Sequence, residues 1–174
     1  KSLSSASTSA SPDKITAVLA QAIAETGVQV LPWTDTLRQW QARVQIMHRL
    51  APAEWPDVSE EGLRARITEW AAPYLTGMSR FSHLDRFPLH NALTGMLDWS
   101  SQQALDALLP VQLEVPTGSR ISIDYTAEHG PVLAVKLQEM FGLLETPRLA
   151  QGRVPLTIHL LSPAQRPVAV TQDL

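Results

Sequence analysis

Five histidines, His48, His83, His90, His129 and His159, are the side chains best suited to hold a metal ion or shuttle a proton, yet their spacing builds neither device. No HExxH occurs, and no two histidines share a helical turn with a carboxylate placed as a third ligand. His83 and His90 could share a helix face only if one helix ran through Pro88, which the proline ring opposes. The expectation is histidines at surfaces and helix ends, and no metal site. Ser119 or Ser122 with Asp124 and His129 supplies the residue types of a nucleophilic triad, but a chain of this size offers such trios by chance. There is no GxSxG elbow, and Pro116–Thr117–Gly118–Ser119 is favoured turn chemistry in its own right. Asp124, between Ile123 and Tyr125, is expected to face solvent or to pair with Arg120.

Phosphate-cradling loops need glycines that let backbone N–H groups converge on an anion, and neither GxxxxGK[ST] nor GxGxxG occurs among the eight glycines. The sequence therefore predicts no nucleotide hydrolysis by this chain alone, with no catalytic, cofactor-binding or metal-binding residue. The absence of cysteine removes disulfides, thiolate metal ligands and thiol nucleophiles.

Five tryptophans raise the question of base stacking. Trp40 and Trp70 fall on apolar helical stripes and read as core. Trp33, Trp55 and Trp99 sit at helix starts, where staple-like packing is the plainer expectation. The basic residues of the final third, Arg120, Lys136, Arg148, Arg153 and Arg166, are the candidate nucleic-acid-binding set. Several fall at turn or strand ends, where side chains can converge on one rim; a solvated surface is the alternative. The formal charge of −3 argues against an autonomous polyanion binder, so any such binding must come from a local patch.

The elements that must position these residues divide by period. A Ser-rich opening, residues 1–12, reads as a flexible linker, with Ser11 as a cap and Pro12 at the first helical position. Ile15, Val18, Leu19, Ala22 and Ile23 form one buried helical face that Gly27 ends. A second helix starts at Thr34, with Leu37, Trp40, Val44 and Met47 inward, Arg38, Gln41, Gln45 and Arg49 outward, and an end before Pro52. Asp57 and Glu60 resemble a capping box for Leu63, Ile67, Trp70 and Tyr74, with Pro73 as a kink or stop. Shorter helices follow around Leu89–Leu97 and Gln102–Leu109, the latter capped by Asp98 or Ser100, so residues 13–110 read as a helical subdomain.

At Pro110 the period drops from about 3.6 to 2. Val111, Leu113 and Val115, a turn, and then Ile121, Ile123 and Tyr125 spell a hairpin. Pro131 is expected to open a helix through Leu133, Leu137 and Met140 to Gly142, followed by strands in "RVPLTIHLL" and "PVAVT", with Pro155 marking a strand start or edge. The predicted class is α+β: an N-terminal helical, bundle-like part, then a small, mostly antiparallel sheet with one packed helix over 111–174. A chain of 174 residues buries roughly 70% of its unfolded surface, so it needs no staple. Apolar stretches are too short to span a bilayer and the start lacks a signal-peptide core, which makes a soluble cytoplasmic protein the expectation.

"LAQAIAETGVQVLPW", "LEVPTGSRISIDY" and "PVLAVKLQEMFGLLETPRLAQGRVPLTIHLLSPAQRPVAVTQDL" together resemble the C-terminal region of bacterial HrpB-type DEAH-box helicases. The likeness is dense over 111–174, clear at 15–44 and looser between 50 and 105. It implies an accessory piece of an ATP-dependent RNA helicase, whose ATP, Mg and catalytic motifs belong to RecA-like motor domains not represented here. It also implies that the motif continues past "VTQDL" into an aromatic and then basic tail, leaving the α+β part incomplete. The implied partners are motor domains of the same chain and single-stranded RNA or DNA, with no membrane. A protein-interaction platform that never touches nucleic acid is the alternative, suggested by near-neutral charge, tryptophans at helix starts and an edge strand in "VPLTIHLL".

Overall fold

The computed structural model describes residues 12–140, 147–161 and 167–171; the expected linker, the Ser11 cap, Gly142 and Arg166 fall outside them. The class is α+β. Two compact units divide the chain, one reaching to Asp98 and the other running from Trp99. Pro110 marks where strands begin, but the division comes earlier because the preceding helix packs against a turn of the strand-bearing unit, Ala150–Gly152.

In the first unit α1 (Pro12–Thr26) buries Leu19, Ala20 and Ile23, and the chain turns away at Gly27 with φ 117°. Val18, expected on the buried face, is instead 69% exposed. Its position next to Leu19 rotates it about 100° to the margin of that face. Helix α2 (Asp35–Leu50) starts where expected, Leu37 N–H donating to Thr34 Oγ1 at 3.1 Å, and buries Leu37, Trp40, Val44 and Met47.

The polar side of α2 is not simply solvated. Gln41 Nε2 donates to Val58 O at 2.8 Å, and Gln45 accepts from Val58 N at 2.9 Å while donating to Asp57 Oδ1 at 3.1 Å. His48 Nδ1 lies 2.8 Å from Trp55 O; a carbonyl only accepts, so that nitrogen carries the proton. Three side chains one helical turn apart thus clamp the returning segment 55–58 and seat Trp55 and Val58 in the core.

That clamp sets the next helix start. Asp57 Oδ1 accepts from Ser59 N at 3.0 Å, and Ser59 Oγ, rather than Asp57, caps α3 (Glu60–Ala65) by accepting from Gly62 N at 3.1 Å. The Ser59 contacts, ahead of Gln45 and His48, hold the Asp57 carboxyl below its usual pKa. The expected single helix through Tyr74 is broken: α3 ends at Ala65 with Arg66 as its C-cap, α4 spans Ile67–Trp70, and a 3-10 turn holds Ala72–Tyr74. Trp70 Nε1 donates to Leu63 O at 2.8 Å across that break, and its ring meets Phe87 edge-on at 6.4 Å. A 3-10 turn at Phe81–Arg86 and α5 (Leu89–Thr94) complete the unit, interrupted at Pro88 so that His83 and His90 share no helix.

The second unit opens with α6 (Trp99–Leu108), followed by a five-stranded sheet in sequential order. Its strands are β1 (Gln112–Glu114), β2 (Arg120–Asp124), β3 (Val132–Lys136), β4 (Thr157–Leu161) and β5 (Pro167–Thr171). All pairings are antiparallel except β3 with β4. The helix expected after Pro131 is therefore a strand, followed among the described residues by a 3-10 turn at Leu137–Met140. Its alternation of buried Leu133 and Val135 with exposed Ala134 fits a strand, and the parallel ladder with β4 supplies hydrogen bonds that outweigh helical propensity. Nor is "VPLTIHLL" an edge, because β4 is paired on both sides.

Gly62→Ala tests the clamp. Alanine normally favours a helix by about 1 kcal/mol over glycine, but a Cβ here would meet Asp57 O at 2.4 Å. A net loss of about 1–3 kcal/mol in denaturant unfolding is expected. Gln45→Ala, which strips the partner from Val58 N–H, should lose about 1–3 kcal/mol in the same measurement.

Candidate nucleic-acid interface

The hairpin of β1 and β2 forms because Pro116, Thr117 and Gly118 make a short loop that Gly118 closes at φ 92°, with Gly118 N donating to Val115 O at 2.8 Å. Tyr125 Oη fixes its far end by donating to Pro110 O at 2.5 Å. Alternation then sorts the side chains. Ile123, Leu133, Val135 and Ile158 are buried on one face, whereas Gln112, Glu114, Arg120, Ser122, Asp124 and Ala134 are exposed on the other.

Register places two of the candidate cations, Arg120 and Lys136, on that outer face. Arg120 lies opposite Glu114, and Lys136 lies beside Leu161. Ile123 pairs with Leu133 and Asp124 with Val132; continuing that register carries Arg120 toward Lys136. Ser119 and Ile121 line a shallow depression of about 270 Å³ together with Ala134, Lys136 and Glu139, so the two strands remain neighbours at that end. Ala134 is paired with His159, which is half-buried on the same face.

A carboxylate shares this corner. Thr117 Oγ1 donates to Glu139 Oε2 at 2.6 Å; that contact, then one from Ser119 and the charge of Lys136, holds the Glu139 carboxyl below its ordinary pKa. Ser119 is thus turned to Glu139. Asp124 Oδ1 accepts from Thr126 N at 2.9 Å and Thr126 Oγ1 at 2.7 Å, and the His129 side chain is 92% exposed beside Glu128. Ser119 thus meets Glu139, whereas His129 stands beside Glu128.

Arg148 and Arg153 flank a different feature. Leu149 and Val154 form an isolated antiparallel bridge, and between them Ala150, Gln151 and Gly152 all take positive φ, at 50°, 60° and 88°. Two non-glycine residues in that region cost roughly 1–2 kcal/mol each. The turn is held by Gly152 N to Leu149 O at 2.9 Å and Arg153 N to Ala150 O at 3.1 Å. Arg148 reaches over Gly152, its Cδ and Nη1 3.7 Å from where a Cβ would stand. This turn feeds β4, which enters the sheet beside Val132, whereas Lys136 ends β3 at its opposite end and Arg120 belongs to β2. The sequence-predicted cations thus form two pairs on separate features, and Arg166 lies outside the described residues.

Trp40, Trp55 and Trp70 are buried. Trp33 is half-buried, donates to Val28 O at 2.9 Å and carries the Arg38 guanidinium 4.0 Å over its ring. Trp99 departs from the staple expected of it, being 75% exposed. A signal was available: it lies six residues before fully buried Leu105, about a third of a turn off that helix's inward stripe. Among the described residues no group of His, Asp and Glu could hold a metal, and no helix is long and apolar enough to cross a membrane.

Comparison with known proteins adds a consistent set of likenesses. Residues 70–174 match the family described as ATP-dependent helicase C-terminal. The chain is 43% identical over 165 residues to the ATP-dependent RNA helicase HrpB of Escherichia coli K12, covering 94% of this chain and 20% of that protein. It superposes on the crystal structure of the E. coli DExH-box NTPase HrpB with a TM-score of 0.86 at 42% identity, covering 94% of this chain and 20% of the other. A crystal structure of the E. coli DEAH/RHA helicase HrpB gives 0.82 at 41% identity, over 95% and 21%. The chain therefore spans about a fifth of the length of these relatives.

The sign of the Glu139 effect is testable. Its folded pKa lies below the unfolded value, so its contribution is complete above the ordinary glutamate range and is lost as pH falls through the folded value. Thr117→Val removes the leading donor. In carboxyl-detected NMR, Glu139 should then titrate closer to an ordinary glutamate, and the acid-side loss of stability tied to it should shrink.

Proposed function

Because this chain belongs to the family of ATP-dependent helicase C-terminal regions, we propose that it is an accessory region of a HrpB-type RNA helicase that steadies a nucleic-acid strand and packs on the motor core. ATP and Mg act in the motor domains; this region supplies contact surface. The residues assigned to the strand are Arg120, Lys136, Arg148 and Arg153, with Arg166 beyond the described set. The observation that carries the reading is Arg120 and Lys136 on the solvent-facing side of one sheet, at the same end of adjacent strands. Phosphates held there would stay in place while hydrolysis elsewhere moves the strand.

Glu114 and Glu139 stand beside these cations and the chain carries −3 overall, so affinity should be modest and steeply salt-dependent. Anisotropy of a labelled single-stranded RNA should report binding at low ionic strength. Arg120→Ala with Lys136→Ala should weaken it and flatten the log–log salt slope by about 0.7 for each phosphate contact removed. No binding at low or moderate salt would sink the strand-holding role.

Packing on the rest of the helicase is supported by a separate surface. Ile15, Val18, Leu19 and Ala22 of α1, with Phe81, line an open apolar groove of about 550 Å³ rimmed by Lys14 and Arg80. Val18 and Phe81 are 69% and 40% exposed. The relatives carry four-fifths of their length outside the matched region, and the occupant assigned here is an apolar, acid-flanked segment of that remainder. A photocrosslinker at position 18 of the full-length helicase should capture residues that precede this region in the same molecule. Capture of a second copy, or none, counts against the assignment.

A further inference from the structure

We infer that Trp99 is a stacking platform for an unpaired nucleobase, completing the strand contact that the arginines begin. The inference rests on the nucleic-acid reading above and adds a base-directed residue to it. Three other tryptophans have their rings in the core, and Trp33 has a guanidinium over its face. Trp99 is 75% exposed, the largest value among the described large hydrophobic side chains.

Trp99 is the first residue of α6. The helix that carries it packs against the Ala150–Gly152 turn between Arg148 and Arg153. Ten helical residues span about 15 Å, so ring and arginines lie within the reach of one short strand. A pliable strand placed along this unit would meet cations for its phosphates and one aromatic face for a base, the combination that binds single strands with little sequence preference.

The test uses the chain with two fluorescent probes of equal length, a single-stranded oligouridylate and its abasic counterpart. Trp99→Ala should weaken oligouridylate binding by roughly 5- to 150-fold and leave abasic binding unchanged. Trp99→Phe should retain most of the affinity but lose the quenching of tryptophan emission that accompanies binding in the parent chain. An unchanged circular dichroism melt in both variants is expected, since the side chain contributes little to the core. If oligouridylate binds and responds to Arg120→Ala but not to Trp99→Ala, the stacking role is overturned while the strand-holding role stands. If Trp99→Ala weakens both probes equally, the ring acts by something other than stacking and the inference also fails. If neither probe binds at low salt, both readings fall together.

Discussion

Unpaired backbone groups in the bends between short elements are the constraint that organises this protein. Thirteen prolines cut the chain into pieces too short to satisfy their own ends, and side chains supply what the missing ladders would have given. In the first unit Gln41, Gln45 and His48 serve the backbone of 55–58, Arg64 reaches Ala24 O at 2.7 Å, and two indoles bond Val28 O and Leu63 O. In the second, Tyr125 holds Pro110 O, and the hydroxyls of the hairpin turn are tied to Glu139. Removing the partner of a backbone group in a buried residue such as Val58 or Leu63 costs a desolvation penalty larger than the net worth of an ordinary hydrogen bond.

The same logic shapes the surface available for contact. Once the hairpin is locked at both ends and β3 is paired in parallel with β4, alternation leaves Arg120, Ser122 and Ala134 on the outer face, with Lys136 at its end. Glu139 is placed by hydroxyls and is also close enough to Lys136 to feel its charge. The outer face is therefore polar and of mixed charge. The groove beside α1 is apolar with a basic rim. These two surfaces belong to different units and differ in chemistry.

Much of this was legible. The stripe of Leu37, Trp40, Val44 and Met47, the start at Thr34 and the hairpin around Gly118 follow from local period and turn chemistry, and the structure has each. Segment 131–140 was not legible in the same way. Leu133, Leu137 and Met140 have helical spacing, whereas Val132, Leu133 and Val135 also suit a strand; a partner strand more than twenty residues later decided between them. Gln41 and Gln45 read as a solvated face because amide side chains look alike whether water or a backbone loop receives them. The cations were recognised as a set, but their division into a sheet-face pair and a turn-flanking pair depends on which end of β3 the returning chain meets.

By itself the sequence determined the helix start at Thr34 and the hairpin around Gly118, which side chains can carry charge to the surface, and that no phosphate loop or thiol is present, because periodicity, caps and glycine placement are local properties. The likeness of its longest segments to helicase C-terminal regions added the family, which the comparisons establish. Only the tertiary structure decided that Pro131 introduces a strand, that Val18 and Trp99 stay exposed, and that Ser119 turns to Glu139. Each of those depends on neighbours distant in sequence, whose hydrogen bonds and packing shift the balance by more than local propensity can resist.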